Sequence, residues 1–481
     1  MAATPAPAGI RPPPAIQAGA KTMVLERIRM QHVHSITRLS ALVIGIAGAL
    51  AMGHAHGAAF QLKENSAKGL GRAFAGSTSA AGDASVVATN PAAMRQLDGR
   101  QIQADLSAIS FSADFDGSGR HVGPTGPGTG MPVSGGNGGD AGMIAPVPAA
   151  YFHMPMGESA HFGVSLTAPF GFKTDYDRNW VGRYNAVTTD LKAIDLGLSA
   201  SYDINPYLSF GASVFVEHLT IELSNAIDFG TAIYAQGGGA AGFAPGNADG
   251  FVTIEGDNNA MGYTIGGLFS PSENTHIALS YRSKVKHKIT GGDADFTVPA
   301  NAAAFLSVYA PGQYVDTKGR AELTLPASAT LSVTHNVNDR WSVMGDVSRT
   351  AWKTAFDSVT VEFDSAQADN VLAFRYDDTT FVSLGTEYRL NDTVTLRGGV
   401  AYDETPTSDA HRDVRVPDVT RKWLSLGVGW TPSERMEFNV GYTHLFTKDP
   451  TINSVSATAS TLAGSYEVGG DILAASINYK F

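Results

Sequence analysis

The sequence predicts an all-β fold, a 14-stranded antiparallel transmembrane β-barrel, and three observations lead there. Period-2 alternation of apolar and polar residues dominates from residue 100 onward. Short turns and long loops alternate along the chain without exception. One apolar run, too short to cross a bilayer as a helix, stands near the amino terminus.

Composition narrows the class further. The 481 residues include 53 Gly and no Cys, so neither a disulfide framework nor thiolate redox or metal chemistry is available. No metal or cofactor is expected. Forty-five Asp and Glu against 34 Lys and Arg leave a net charge of -11, which argues against a nucleic-acid partner, because phosphates require clustered cations.

The apolar run "LSALVIGIAGALAM" at 39–52 follows Arg38 and precedes the small residues Ala55 and Gly57. Fourteen helical residues rise about 21 Å, short of a hydrocarbon core of roughly 30 Å. Basic flank, short apolar core and small residues together describe an export signal peptide cleaved near Gly57. Residues 1–57 are thus read as a signal peptide with a low-complexity extension ahead of Met23 or Met30. The rest divides into a plug at 58–99 and a barrel at 100–481.

The strands follow in order at 100–113, 147–155, 159–168, 190–203, 206–224, 250–270, 273–291, 320–337, 340–362, 372–390, 392–403, 419–431, 434–447 and 469–481. In "YLSFGASVFV", Leu208, Phe210, Ala212, Val214 and Val216 share an oily face, opposite Ser209, Gly211 and Ser213. "WLSLGVGW" repeats the pattern with Leu424, Leu426, Val428 and Trp430 against Ser425, Gly427 and Gly429. Six connections are tight, at 156–158, 204–206, 270–273, 336–339, 390–392 and 431–434, and carry turn residues. Those between are mostly long and Gly-rich, such as 114–146, 225–249, 292–318 and 448–468.

In an up-and-down meander every second connection lies at the same end, so tight turns gather at one end and long loops at the other. Outer-membrane barrels have that layout, and closure satisfies the backbone hydrogen bonds that lipid cannot. The soluble alternative is one or two β-sandwiches, whose strands are usually about 5–6 residues long. The last strand, "DILAASINYKF", alternates up to a terminal Phe481. This ending resembles the signal read by the barrel assembly machinery of the outer membrane, which is expected as a partner together with outer-membrane lipid and lipopolysaccharide.

Residues 58–99 break the alternation. Phe60, Leu62, Leu70, Phe74, Val86, Val87, Met94 and Leu97 need burial, which favours a plug inside the barrel over a disordered tail. The stretch "AAFQLKENSAKGLGRAFAG…NPAAM" resembles the start of the long-chain fatty acid transporter family of the outer membrane, which includes an aromatic-hydrocarbon uptake branch. "SYRSKVKHKITGG", "AYDETPTSDAHRDVRVPDVTRKWLSLG" and the closing "NYKF" extend the resemblance over the rest of the chain.

The resemblance implies passive uptake of hydrophobic compounds and a fourteen-strand barrel with an N-terminal hatch. Ligand is captured in a groove between outer loops, passed to an inner pocket, and released sideways through a wall gap beside a kinked third strand. It assigns Asn90, Pro91 and Ala92 to the hatch segment facing that gap, with Phe60 in the same hatch and gate region. In the third strand, "HFGVSLTAPFGF" carries Gly163, Pro169 and Gly171, residues that permit a bulge or withhold a ladder hydrogen bond. Gly171 is the first candidate for the kink and Gly163 the alternative.

The outer loops carry Ile233, Tyr234 and Phe243 in one and Phe305, Leu306, Val308 and Tyr309 in the next. These residues either line the groove or cover each other. Family members that carry fatty acids hold the carboxylate with basic side chains near the outer end of the fifth strand and the start of the tenth. Asn225 and Asp377 fall at those places, so the expected pair is missing. Lys192, Arg375, Arg397 and Arg415 are the candidate replacements, and a neutral aromatic hydrocarbon competes with a fatty acid as ligand. No H-E-x-x-H, P-loop or G-x-S-x-G pattern occurs, and no enzymatic activity is expected. An adhesin or phage-receptor barrel with protein-binding loops is the alternative function.

Overall fold

The computed structural model describes residues 59–481. The expected signal peptide and its cleavage site lie outside the described residues. All strands belong to one antiparallel sheet, and that sheet closes on itself: β1 (Gln101–Arg120) pairs with the last strand, β19 (Thr461–Lys480), from Gln101↔Lys480 to Arg120↔Thr461.

Between them the wall is crossed in order. β2 (Met143–Met156), β3 (Ala160–Asp175), β4 (Thr188–Asn205), β5 (Leu208–Asp228) and β6 (Asp249–Ser272) are continuous. The next four crossings are each split in two: β7 (Thr275–Arg282) with β8 (Val285–Thr297), β9 (Thr317–Leu325) with β10 (Ser328–Asn338), β11 (Trp341–Thr350) with β12 (Ser358–Phe363), and β13 (Asn370–Ala373) with β14 (Thr379–Arg389). β15 (Val394–Asp403), β16 (Arg421–Ser433) and β17 (Met436–Phe446), followed by the short β18 (Thr451–Val455), complete the ring, which makes fourteen crossings. Pro326 stands in the gap between β9 and β10, where it has no amide to donate.

Exposure is inverted relative to a soluble protein. Phe210, Val214, Leu424, Leu426 and Trp430 face outward, whereas Ser209, Ser213 and Ser425 are buried in the lumen. The sequence expectation is short at the outer end: β1 continues to Arg120 and β19 begins at Thr461. There the outward positions are polar, as at Asp114, Asp116, Ser118 and Arg120, so alternation fades although strand pairing continues. Hydrophobic periodicity reports contact with lipid, not pairing itself.

Residues 59–99 lie inside the barrel. They form two short helices, α1 (Ala67–Leu70) and α2 (Val86–Thr89), and a 3-10 helix (Pro91–Gln96). Ser66 caps α1 by accepting the Gly69 amide, and Asn90 caps the 3-10 helix by accepting the Ala92 amide. All eight apolar residues that required burial are buried. Hatch and wall approach backbone to backbone: a Cβ on Gly399 would lie 2.3 Å from the Arg72 carbonyl carbon, and one on Gly211 would lie 2.5 Å from the Ala92 nitrogen. Ion pairs fix the same contact. Lys68 Nζ sits 2.7 Å from Glu437, Arg72 pairs with Glu387, and Arg397 links both acids at 3.0 and 3.5 Å.

Candidate functional site

The wall has a local defect in its third crossing. The β2–β3 ladder runs only from Met156↔Ala160 to Ala150↔Leu166, while β3 continues to Asp175. Beyond Leu166 that edge of β3 therefore has no β2 partner. On its other edge the β3–β4 register shifts between Thr167 and Phe170, around Ala168 and Pro169. A proline cannot donate to either neighbour, so the ladder slips there.

The hatch occupies the abandoned edge. Leu62 donates its amide to the Pro169 carbonyl at 2.8 Å, and Gly171 donates to the Phe60 carbonyl at 2.9 Å, with Gln61 bridged to Phe170. Two expectations change accordingly. The irregularity falls at Ala168–Pro169, not at the glycines: Gly171 is back in register opposite Lys192, and Gly163 lies in regular ladder opposite Ser199 and His153. Gly163 instead makes room, since a Cβ there would meet Val87 at 2.6 Å. The segment paired with the break is Phe60–Leu62. Asn90, Pro91 and Ala92 are anchored elsewhere, with Asn90 Nδ2 donating to the Thr78 carbonyl at 2.9 Å and Ser209 Oγ donating to the Ala92 carbonyl at 2.7 Å.

Above the break lies an apolar chamber of about 830 Å³ including its mouth, lined by Phe60, Phe172, Leu191, Ile221, Leu323 and Phe374 among others. Phe60 packs on Trp352 at 4.7 Å, Phe356 at 4.9 Å and Phe170 at 6.1 Å between ring centroids. Arg415, on the loop between β15 and β16, also lines this chamber. Its Nη2 donates to Asn225 Oδ1 at 3.3 Å, and its buried Nη1 has no hydrogen-bond partner among the described residues. Burial pulls the guanidinium below its ordinary pKa, opposed by nearby Asp413. The structure thus brings together Asn225, where a family cation was expected, and a cation 190 residues away.

The other three candidate cations are engaged elsewhere. Arg397 belongs to the hatch ion network. Lys192 lies 4.0 Å from Asp190, and exposed Arg375 places Nη1 3.3 Å from His411 Nε2. Asp377 is exposed beside Lys353 at 3.4 Å.

At the outer end, α3 (Phe229–Ala235) is capped by Asp228, which accepts the Thr231 amide, and packs against α4 (Ala300–Tyr309). The seven apolar loop residues divide. Ile233, Phe243 and Leu306 are buried together, with Phe305 half-buried against Phe243 at 5.7 Å, whereas Tyr234, Val308 and Tyr309 remain 54%, 68% and 68% exposed. Beneath them a vestibule lined by Tyr184, Asn225, Ile227, Val252 and Tyr314 adjoins the apolar chamber through the shared Ile254.

Sequence reasoning missed a second chamber of about 930 Å³ on the hatch side of Phe170. Its lining is polar in large part and includes Gln61, Lys63, Thr78, Thr167, Pro169, Arg282, Thr330 and Asp346. These residues come from the hatch and from four wall crossings, so no local pattern could have assembled them.

The family model described as "Outer membrane protein transport protein (OMPP1/FadL/TodX)" matches residues 48–481. Outer membrane protein P1 of Haemophilus influenzae is 28% identical over 459 residues, covering 90% of this chain and 97% of the relative. The long-chain fatty acid transport protein of Salmonella typhi is 28% identical over 426 residues, covering 87% and 94%. The crystal structure of a Pseudomonas aeruginosa FadL homologue superposes with a TM-score of 0.79 at 26% identity, over 88% of this chain and 99% of the other.

Proposed function

The chain belongs to the outer-membrane transport family described as OMPP1/FadL/TodX, and from this premise we propose that it takes up long-chain fatty acids. Transport is passive. An acyl chain leaving water gains roughly 25 cal/mol per Å² of apolar surface, so a route of increasingly apolar surfaces needs no other driving force. Exposed Tyr234, Val308 and Tyr309 make first contact, the vestibule admits the chain, and the apolar chamber holds it.

The observation that carries this reading is Arg415: it lines a chamber whose exposed surface is apolar, and its buried Nη1 has no hydrogen-bond partner among the described residues. A buried carboxylate is costly unless paired and hydrogen-bonded, and a guanidinium can bind it through two donors. Release follows when Phe60–Leu62 leave the edge of β3, opening the wall beside Pro169 directly to lipid. The signal peptide at 1–57, the assembly-machinery contact of Phe481 and the lipopolysaccharide contact belong to the same proposal.

Binding of oleate and of methyl oleate to purified protein tests it. Arg415→Leu is expected to weaken oleate binding by ten-fold or more and leave the ester within two-fold. Equal affinity of wild type for both compounds would shift the assignment to neutral hydrophobic ligands.

A further inference from the structure

The polar chamber beside the β3 break contains two cations in different states. Arg282 is paired twice, with Nη1 2.6 Å from Asp195 and Nη2 2.6 Å from Glu217. Lys63 has no ion-pair partner within 4.0 Å among the described residues; its Nζ rests 4.3 Å above the Phe381 ring. Asp346, Asp403 and Glu64 face it without forming an ion pair with it, and the buried Oε1 of Glu64 has no hydrogen-bond partner among the described residues. Asp346 accepts the Gly76 and Ser77 amides at 2.6 and 3.0 Å, Asp403 lies 3.5 Å from Arg421, and Glu64 Oε2 accepts the Lys63 amide at 2.8 Å. Thr78 lines the same chamber, and its buried Oγ1 has no hydrogen-bond partner among the described residues.

The two chambers meet across one pair of rings. Phe60 lines the apolar side and Phe170 the polar side, with centroids 6.1 Å apart. Lys63 stands three residues after Phe60 on the strand that closes the wall, so displacement of that strand moves gate and cation together.

We propose that Lys63 is a second headgroup station, which receives the carboxylate of a long-chain anionic amphiphile after Arg415 and holds it beside the wall break during release. This rests on the fatty-acid reading of the apolar chamber. A carboxylate that leaves Arg415 has to remain compensated in a low-dielectric lumen. Lys63 supplies the opposite charge, and Thr78 supplies a hydroxyl donor. A single cation at Arg415 would retain the headgroup at the outer end, whereas two in series let it advance.

The test compares uptake of radiolabelled oleate and methyl oleate in host cells that lack fatty-acid uptake of their own, at matched levels of folded barrel. Lys63→Gln is expected to slow oleate uptake about ten-fold, leave ester uptake and equilibrium oleate binding within two-fold of wild type, and be rescued by Lys63→Arg. Oleate uptake equal to wild type would overturn the proposal, and so would an equal slowing of acid and ester, which would mark a hatch-packing residue. Arg415→Leu runs in parallel. If wild type takes up no oleate, or that variant binds it normally, the underlying reading fails; if both behave as expected and Lys63→Gln does not, only the second station fails. Should Lys63→Gln not assemble, Thr330→Asp places a competing carboxylate in the same chamber. It is expected to slow oleate selectively, and an equal effect on both ligands would again overturn the assignment.

Discussion

The Gly171 amide donates to the Phe60 carbonyl at 2.9 Å, so the hatch, not β2, completes the edge of β3 beyond Leu166. The wall is closed here by Phe60–Leu62, a hatch segment that belongs to none of the named strands. Stability of this contact depends on the side chain at its start.

Phe60→Ala removes a ring packed on Trp352, Phe356 and Phe170. Large-to-small changes of this type cost roughly 3 kcal/mol or more. Amide exchange at Leu62 and Gly171 is expected to accelerate about a hundred-fold, with little change at the β1–β19 seam. Unchanged protection at Leu62 would show that the strand is held by the backbone alone.

Gly399→Ala would drive a methyl group into the Arg72 carbonyl, whereas the neighbouring Gly398 has nothing nearer its Cβ position than the Ser425 carbonyl at 3.9 Å. Gly399→Ala is expected to displace the hatch and raise conductance in a planar bilayer several-fold. Gly398→Ala is expected to match wild type. Equal conductance of all three proteins would count against a tightly docked plug.

Glu64 in the hatch is pushed up to about 7 by burial, partly offset by nearby Arg421. The folded protein therefore holds this proton more tightly than the unfolded chain, whose carboxyl titrates near the usual 4.5. Stability falls as pH rises between those two values and is level outside them. Protection of the Leu62 amide, corrected for intrinsic exchange, should drop between pH 5 and pH 8 in wild type and lose that slope in Glu64→Gln. An unaltered slope would assign the dependence to another group.

Val308→Asp places a charge on the exposed side of α4 without touching the buried Leu306 contact. Oleate capture by cells is expected to slow several-fold, while oleate affinity of the purified protein stays within two-fold. A loss of affinity would mean that the loop lid shapes the inner chamber as well.

Strand number, turn placement, the polar lumen and the need to bury residues 58–99 were all legible in the sequence, because each follows from residues close together in the chain. An alternating stretch declares its two faces, and a run such as "SPSE" or "TPSE" declares its turn. Pro169 likewise announced a weak point, although which of three neighbouring residues carried it required the register of β4. The tertiary structure alone decided the rest. Ring closure puts Asn225 beside Arg415 across 190 residues, lays Phe60–Leu62 on the edge of β3, and gathers Lys63 with hydroxyls from distant crossings. Period-2 patterning specifies which side of a strand faces lipid, but it carries no term for which strand lies opposite across the lumen; that distance is set by closure of the whole barrel.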